Sequence, residues 1–169
     1  NPVTIAVDPV NTAATNVLHQ YHVVQAKDRY ETVKRIADIN PNIYGIVFCR
    51  TRRETKVVSN RLMVDGYNAD ALHGDLSQSQ RDEVMNRFRK SQLQLLVATD
   101  VAARGLDVNN LSHIINYNLP DDPEIYTHRS GRTGRAGRTG ISIAIVHSRE
   151  LRRLKDIEKI SGVTFSKEL

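Results

Sequence analysis

The feature that constrains this chain most is a recurring pattern of short, β-branched apolar runs, at residues 17–24, 44–49, 69–72, 93–98, 113–117 and 141–146, with helical patterns and loops between them. The runs lack the strict apolar-polar alternation of strands with one wet face, so both faces of each strand must be covered. Strands joined through helices run parallel with right-handed crossovers, which puts helices on both sides of the sheet. The expectation is a three-layer α/β/α sandwich around a mostly parallel, six-stranded sheet over residues 17–169. Residues 1–16 carry Pro2, Pro9 and scattered Asn and Thr without a sustained period, and read as a linker or N-terminal extension.

Helix starts are marked locally. Asp28 with Glu31 and Thr51 with Glu54 have capping-box spacing, and Ser77 with Gln80 repeats it with an amide. Pro123 behind Asp122 suits a first helical position, and Ser148 opens a last amphipathic stretch through Leu151, Leu154 and Ile157. The first helix presents Tyr30, Val33, Ile36 and Ile39 to the core and stops at Asn40 and Pro41; the second presents Val57, Val58 and Leu62 and stops at Gly66. In an open parallel sheet, ligands bind beyond the carboxyl ends of the strands. Polar residues follow the runs there: Arg50 and Thr51, His73 to Asp75, Thr99 and Asp100, and Asn118 to Asp122. One edge of the sheet is therefore expected to gather the chemistry.

Charge narrows the class of ligand. The 24 basic residues outnumber 19 acidic ones, and seventeen of them are Arg, the better phosphate fork. Residues 128–140 hold four Arg and four Gly without an acid. Gly lets backbone approach a phosphate and Arg supplies planar, charged donors, so polyphosphate or a nucleic-acid backbone is the natural ligand, although a solvated basic loop has the same composition. One cysteine, Cys49, excludes a disulfide framework and a thiolate zinc site, and none of the six histidines stands at ligand spacing from a second ligand, so no metal site is expected. The composition suits a reducing, cytoplasmic setting, and no apolar run approaches the roughly 18 residues of a membrane span.

Four segments together resemble a known family. Residues 128–137 read His-Arg-x-Gly-Arg-x-x-Arg-x-Gly, which resembles motif VI of the DEAD-box RNA helicases. Residues 46–51 look like motif IV, Gln78 to Arg81 like the QxxR element after a similar His73-Gly74-Asp75, and residues 98–107 like motif V. The resemblance covers residues from about 20 to 160 and implies the second, C-terminal RecA-like domain of such an enzyme. This is a P-loop NTPase type of fold without its own P-loop, because neither GxxxxGK[ST] nor an Asp-Glu-Ala-Asp run occurs.

The resemblance also implies roles. Arg132 and Arg135 are expected to reach ATP across a cleft as arginine fingers, and Asp107 to accept a hydrogen bond from the ribose. ATP and Mg2+ are expected to be held mainly by the N-terminal RecA-like domain of the same chain, with none tightly bound here. Arg50, Gly74, Gln78, Arg81, Thr99, Arg104 and Gly105 are expected to touch RNA backbone without reading bases. Asp100 and His128 are expected to hold the motif V and VI loops together. The fragment is expected to be monomeric, free of membrane and inactive alone. Plainer readings stand beside these: Asp107 as a turn residue, Arg81 as a solvated helix cation, Thr51 as an N-cap, and His73 as a structural histidine. A KH-type RNA-binding module, suggested by Gly131 to Gly134, and a DNA-translocating helicase are the rival functions.

Overall fold

The computed structural model describes residues 16–135 and 137–169; residues 1–15, most of the expected linker, lie outside them. In chain order the elements are β1 (Val17–Val23), α1 (Arg29–Ile39), β2 (Gly45–Phe48), α2 (Arg52–Val64), β3 (Ala69–Leu72), α3 (Gln78–Arg89) and β4 (Leu95–Ala98). There follow α4 (Asp100–Ala103), β5 (His113–Asn116), α5 (Pro123–Ser130), β6 (Gly140–Val146), α6 (Leu151–Ser161) and β7 (Phe165–Lys167). The strands form one seven-stranded sheet in the order β3-β4-β2-β5-β6-β1-β7, and every pairing is parallel. Six strands were expected. The seventh, β7, pairs outside β1 and has three residues, too few to show a period.

Burial explains why alternation is missing. Every residue of β2, β4 and β5 is buried. Val47 and Cys49 face α1 and α2, meeting Tyr30, Val33, Ile36, Val58 and Leu62. Ile46 and Phe48 face the other way, toward Val84, Met85 and Phe88 of α3 and Ala102 and Ala103 of α4. A further cluster on that second side joins Tyr126 of α5 and Leu154 and Ile157 of α6 to Ala144, Val146 and Phe165.

The caps hold in part. Thr51 accepts from the Glu54 amide at 3.1 Å, Ser77 and Gln80 form a reciprocal capping box, and Asp122 accepts from the Glu124 amide with Pro123 at the first helical position. Asp28 instead lies in a 3-10 turn over Ala26–Asp28 and its side chain caps nothing; Thr32 bonds its carbonyl. The last stretch is capped by His147 rather than Ser148, with Glu150 returning the bond, and a 3-10 turn over Ser148–Glu150 precedes α6. Ile39 and Val57 are exposed, against expectation. Steps of three residues lag 60° behind a full turn, so by Ile39 the stripe begun at Tyr30 has rotated half-way round α1. On α2 the buried positions are Thr55, Val58, Ser59 and Leu62, which leave Val57 to one side.

Candidate functional site

At the carboxyl edge, the exits of the adjacent strands β3, β4 and β2 bring Gly74, Gln78, Arg81, Thr99, Arg104, Gly105 and Arg50 into one region. Several are already engaged. Arg50 donates its amide to Asn118 Oδ1 at 2.7 Å, and its guanidinium donates to the Leu119 carbonyl at 3.3 Å, 3.9 Å from Asp121. Gln78 donates to Asp82, and Arg81 donates to the Ala102 carbonyl at 2.6 Å. Thr99 is buried and caps α4 by accepting from the Ala102 amide at 3.2 Å. Gly74, Arg104 and Gly105 are exposed, with Arg52 alongside Gly74 and itself paired with Asp75 at 2.8 Å. His73 is buried and accepts from the Asp75 amide, the structural role expected of it; burial first, then nearby Lys56, lowers its pKa.

Arg132, Arg135 and Asp107 do not share that edge. α5 runs back from the carboxyl edge, and its following loop meets the segment before β5 through a bridge between Leu111 and Thr133. The expectation of a single chemical edge is thus corrected: a cleft of about 700 Å³ runs between α5 with this loop and the segment after α4. Arg104, Gly105, Asp107, Arg132 and Arg135 line it, so the cleft joins the two candidate sets. Asp107 is held outward because Leu106 and Val108 on either side are buried; its side chain is 81% exposed and lies 3.4 Å from Arg89. Burial lowers the pKa of Arg132, the Asp107 carboxylate opposes that shift, and Arg135 adds to it. Two half-buried guanidiniums near one carboxylate leave room for anionic charge. Arg135 also donates Nε to the Gly131 carbonyl at 2.9 Å.

The residue that sequence reasoning missed is Arg129. It is 3% exposed, donates Nε and a terminal nitrogen to the two Asp100 oxygens at 2.7 and 2.6 Å, and reaches Asn116 Oδ1 and the Asn118 carbonyl. Its guanidinium also sits 4.9 Å from the Phe48 ring centre. Asp100 therefore does tie α4 to α5, through Arg129, whereas His128 is partly exposed and 3.8 Å from Glu124. A signal was present, since Arg129 stands three residues after the buried Tyr126 on the inward face of α5.

Two glycines of residues 128–140 have a packing role. A side chain on Gly134, at φ +72°, would come 2.6 Å from Val17 and 2.9 Å from the Asn16 carbonyl. A side chain on Gly140 would strike Thr133, and its amide bonds the Asn16 carbonyl at 2.8 Å. Their bareness lets the loop lie against β1. The run from Gly131 to Gly134 joins α5 to a strand of a parallel sheet, which removes the KH reading. Among the described residues no three His, Cys, Asp or Glu side chains converge on a metal position, and no helix is long and apolar enough to cross a membrane.

Comparison with known proteins gives the same picture. The helicase conserved C-terminal domain family matches residues 28–137. The DEAD-box ATP-dependent RNA helicase CshA of Bacillus cereus is 42% identical over 158 residues, covering 94% of this chain and 30% of that protein. The solved C-terminal domain of the DEAD-box protein Dbp5 is 30% identical with a TM-score of 0.83, covering 90% of this chain and 89% of that one. Dbp5 of S. cerevisiae bound to RNA and ADP BeF3 is 29% identical with a TM-score of 0.87, covering 99% of this chain and 45% of that one. The chain spans 30% to 41% of the length of the curated relatives it matches.

Proposed function

Because this chain belongs to the helicase conserved C-terminal domain family, as the C-terminal RecA-like domain of a DEAD-box helicase, we propose that it works as one half of an ATP-dependent RNA helicase. In that reading it closes over ATP bound on an N-terminal RecA-like domain, which also holds Mg2+. Arg132 and Arg135 stabilise the charge that develops on the transferring phosphoryl group, and Asp107 accepts a hydrogen bond from the ribose. Arg50, Gly74, Gln78, Arg81, Thr99, Arg104 and Gly105 hold RNA by its sugar-phosphate backbone, so binding is independent of sequence.

The observation that carries this reading is the cleft in which Arg132, Arg135 and Asp107 share a wall with Arg104 and Gly105. Its residues fit the group they would meet: two guanidiniums for phosphate oxygens and an outward carboxylate for a hydroxyl. The cleft also supplies a route for coupling, since Arg104 directly follows α4, which is fixed to α5 by the Asp100–Arg129 pair. Movement of RNA against Arg104 is then felt by the loop bearing Arg132.

The test uses the complete enzyme. Arg132→Ala or Arg135→Ala lowers ATP hydrolysis by about a thousandfold or more, the usual scale for an arginine finger, and leaves RNA affinity within a few-fold. Arg104→Ala lowers RNA affinity instead. RNA stimulates hydrolysis more than DNA of the same sequence, and this chain alone turns over no ATP above background. Equal loss of RNA affinity in all three variants, with hydrolysis intact, would overturn the division of labour.

A further inference from the structure

Helix α6 carries a row of cations that the proposed function leaves unused and that lies beyond residues 28–137 of the family match. Arg152, Lys155 and Lys159 stand at i, i+3 and i+7 on the exposed side, away from the buried Leu154 and Ile157. Arg149, in the turn just before, extends the row toward the sheet's carboxyl edge. At 1.5 Å per residue the three helical cations span about 10 Å. Among the described residues none of the four enters an ion pair, although Asp156 is at i+4 from Arg152 and i−3 from Lys159. Arg50, Arg52, Lys56, Arg87 and Arg89 each have a carboxylate. The three cations repel one another at three- and four-residue spacing, and apart from Lys159, which suits the last turn of a helix, α6 itself gives no reason for the row.

Its position supplies that reason. β5 alone separates β2 from β6, so the exit of β2, with Arg50, lies about 10 Å, two strand spacings, from the exit of β6. A charge ladder bridges the gap: Arg50 to Asp121 at 3.9 Å, Asp121 to Arg153 at 3.2 Å, and Arg153 to Glu150 at 3.4 Å. The ladder pins the start of α6 to the loop after β5. It also offsets Asp121, one of the two exposed carboxylates, with Asp122, that would repel a phosphate crossing there.

We propose that Arg149, Arg152, Lys155 and Lys159 form an auxiliary site for the phosphodiester backbone of RNA, taking the part of the strand that continues past Arg50. The inference rests on the proposed RNA-binding edge and extends it by a separate helix. Contacts of this kind are made by charge alone, so the site raises affinity for longer RNA without selecting sequence.

The experiment measures binding of this chain to a hexamer and a 20-mer of uridine RNA across a salt series. The variant R152Q/K155Q/K159Q replaces exposed cations with another good helix former, and its thermal midpoint is checked against the parent. For the 20-mer, the slope of log affinity against log salt falls by about 2 in the variant, three lost contacts at about 0.7 each, and low-salt affinity drops tenfold or more. Hexamer binding is unchanged. An unchanged 20-mer slope overturns the proposal, and so does parent binding of polyglutamate as tight as that of RNA with equal loss in the variant, which would mark a surface for acidic proteins. Arg104→Ala keeps the two readings apart: if it leaves hexamer binding intact, the edge site fails, whereas an insensitive triple variant beside a sensitive Arg104→Ala fails α6 alone.

Discussion

Arg129 and Arg132 are three residues apart, yet one belongs to the last turn of α5 and the other to the loop that follows, and their surroundings separate their roles. Arg129 spends its donors inside the protein, on Asp100, Asn116 and Asn118. Arg132 is half-buried in the cleft wall, influenced by Asp107 but forming no ion pair with it among the described residues. A guanidinium serves the fold where the fold supplies acceptors, and the one with fewer of them here, Arg132, is the one proposed to meet a ligand. The largest stability effect sharpens this contrast. Arg129→Ala strands Asp100 and two asparagine oxygens and destabilises the chain by about 3 kcal/mol, toward the lower end for breaking a buried pair because Asp100 keeps some access to water. Arg132→Ala changes unfolding free energy by less than about 0.5 kcal/mol. Urea denaturation of both variants checks the pair, and comparable losses would erase the distinction.

A second buried polar group tests whether satisfaction or charge matters more. His19 is buried between β1 and α5, with Nδ1 2.6 Å from the Tyr126 hydroxyl, which lies 2.9 Å from Ser142 Oγ. Unlike Arg129 it has no carboxylate partner among the described residues, and burial lowers its pKa to about 4. Its folded value lies below the unfolded one near 6.5, so the unfolded chain binds the extra proton between those two values. The stability tied to neutral His19 is complete above about pH 6.5 and is lost as pH falls toward 4, by about 2–3 kcal/mol. His113 and His22 are lowered chiefly by burial and act in the same direction. Unfolding free energy measured from pH 7 to 4.5 checks this: His19→Asn flattens the fall, and an equal slope in the variant removes His19 as its source.

What was readable from sequence follows the same division. The strands announced themselves because burial on both faces leaves an apolar run, and the caps at Thr51, Ser77 and Asp122 because one side chain satisfies one nearby amide. The candidate residues were legible through family resemblance, and their grouping at β3, β4 and β2 followed from strand order. The interior use of Arg129 was not, because its acceptors come from the start of α4 and from the end of β5 and its exit, 11 to 29 residues away in the chain. The same holds for Gly134, whose need for a bare backbone comes from Asn16 and Val17. Local sequence carries local satisfaction; which distant group fills a vacancy is decided by tertiary packing.

Arg81 lies between the two extremes. Its guanidinium donates to the Ala102 carbonyl at 2.6 Å, fastening α3 to the end of α4. A guanidinium has five donors, so that bond leaves others for a phosphate, and the residue can serve both fold and ligand. Arg81→Ala destabilises the chain by about 1–2 kcal/mol, the scale of one charge-assisted bond to a partly accessible carbonyl. Hydrogen exchange at residues 102–107 reads that local loosening without RNA. The ligand half is read separately by salt. If Arg81 touches a phosphate, Arg81→Ala lowers the salt slope of RNA binding by about 0.7; if it only braces α4, affinity falls while the slope holds. A changed slope with unchanged exchange would move Arg81 to the side of Arg132, and the reverse would place it with Arg129.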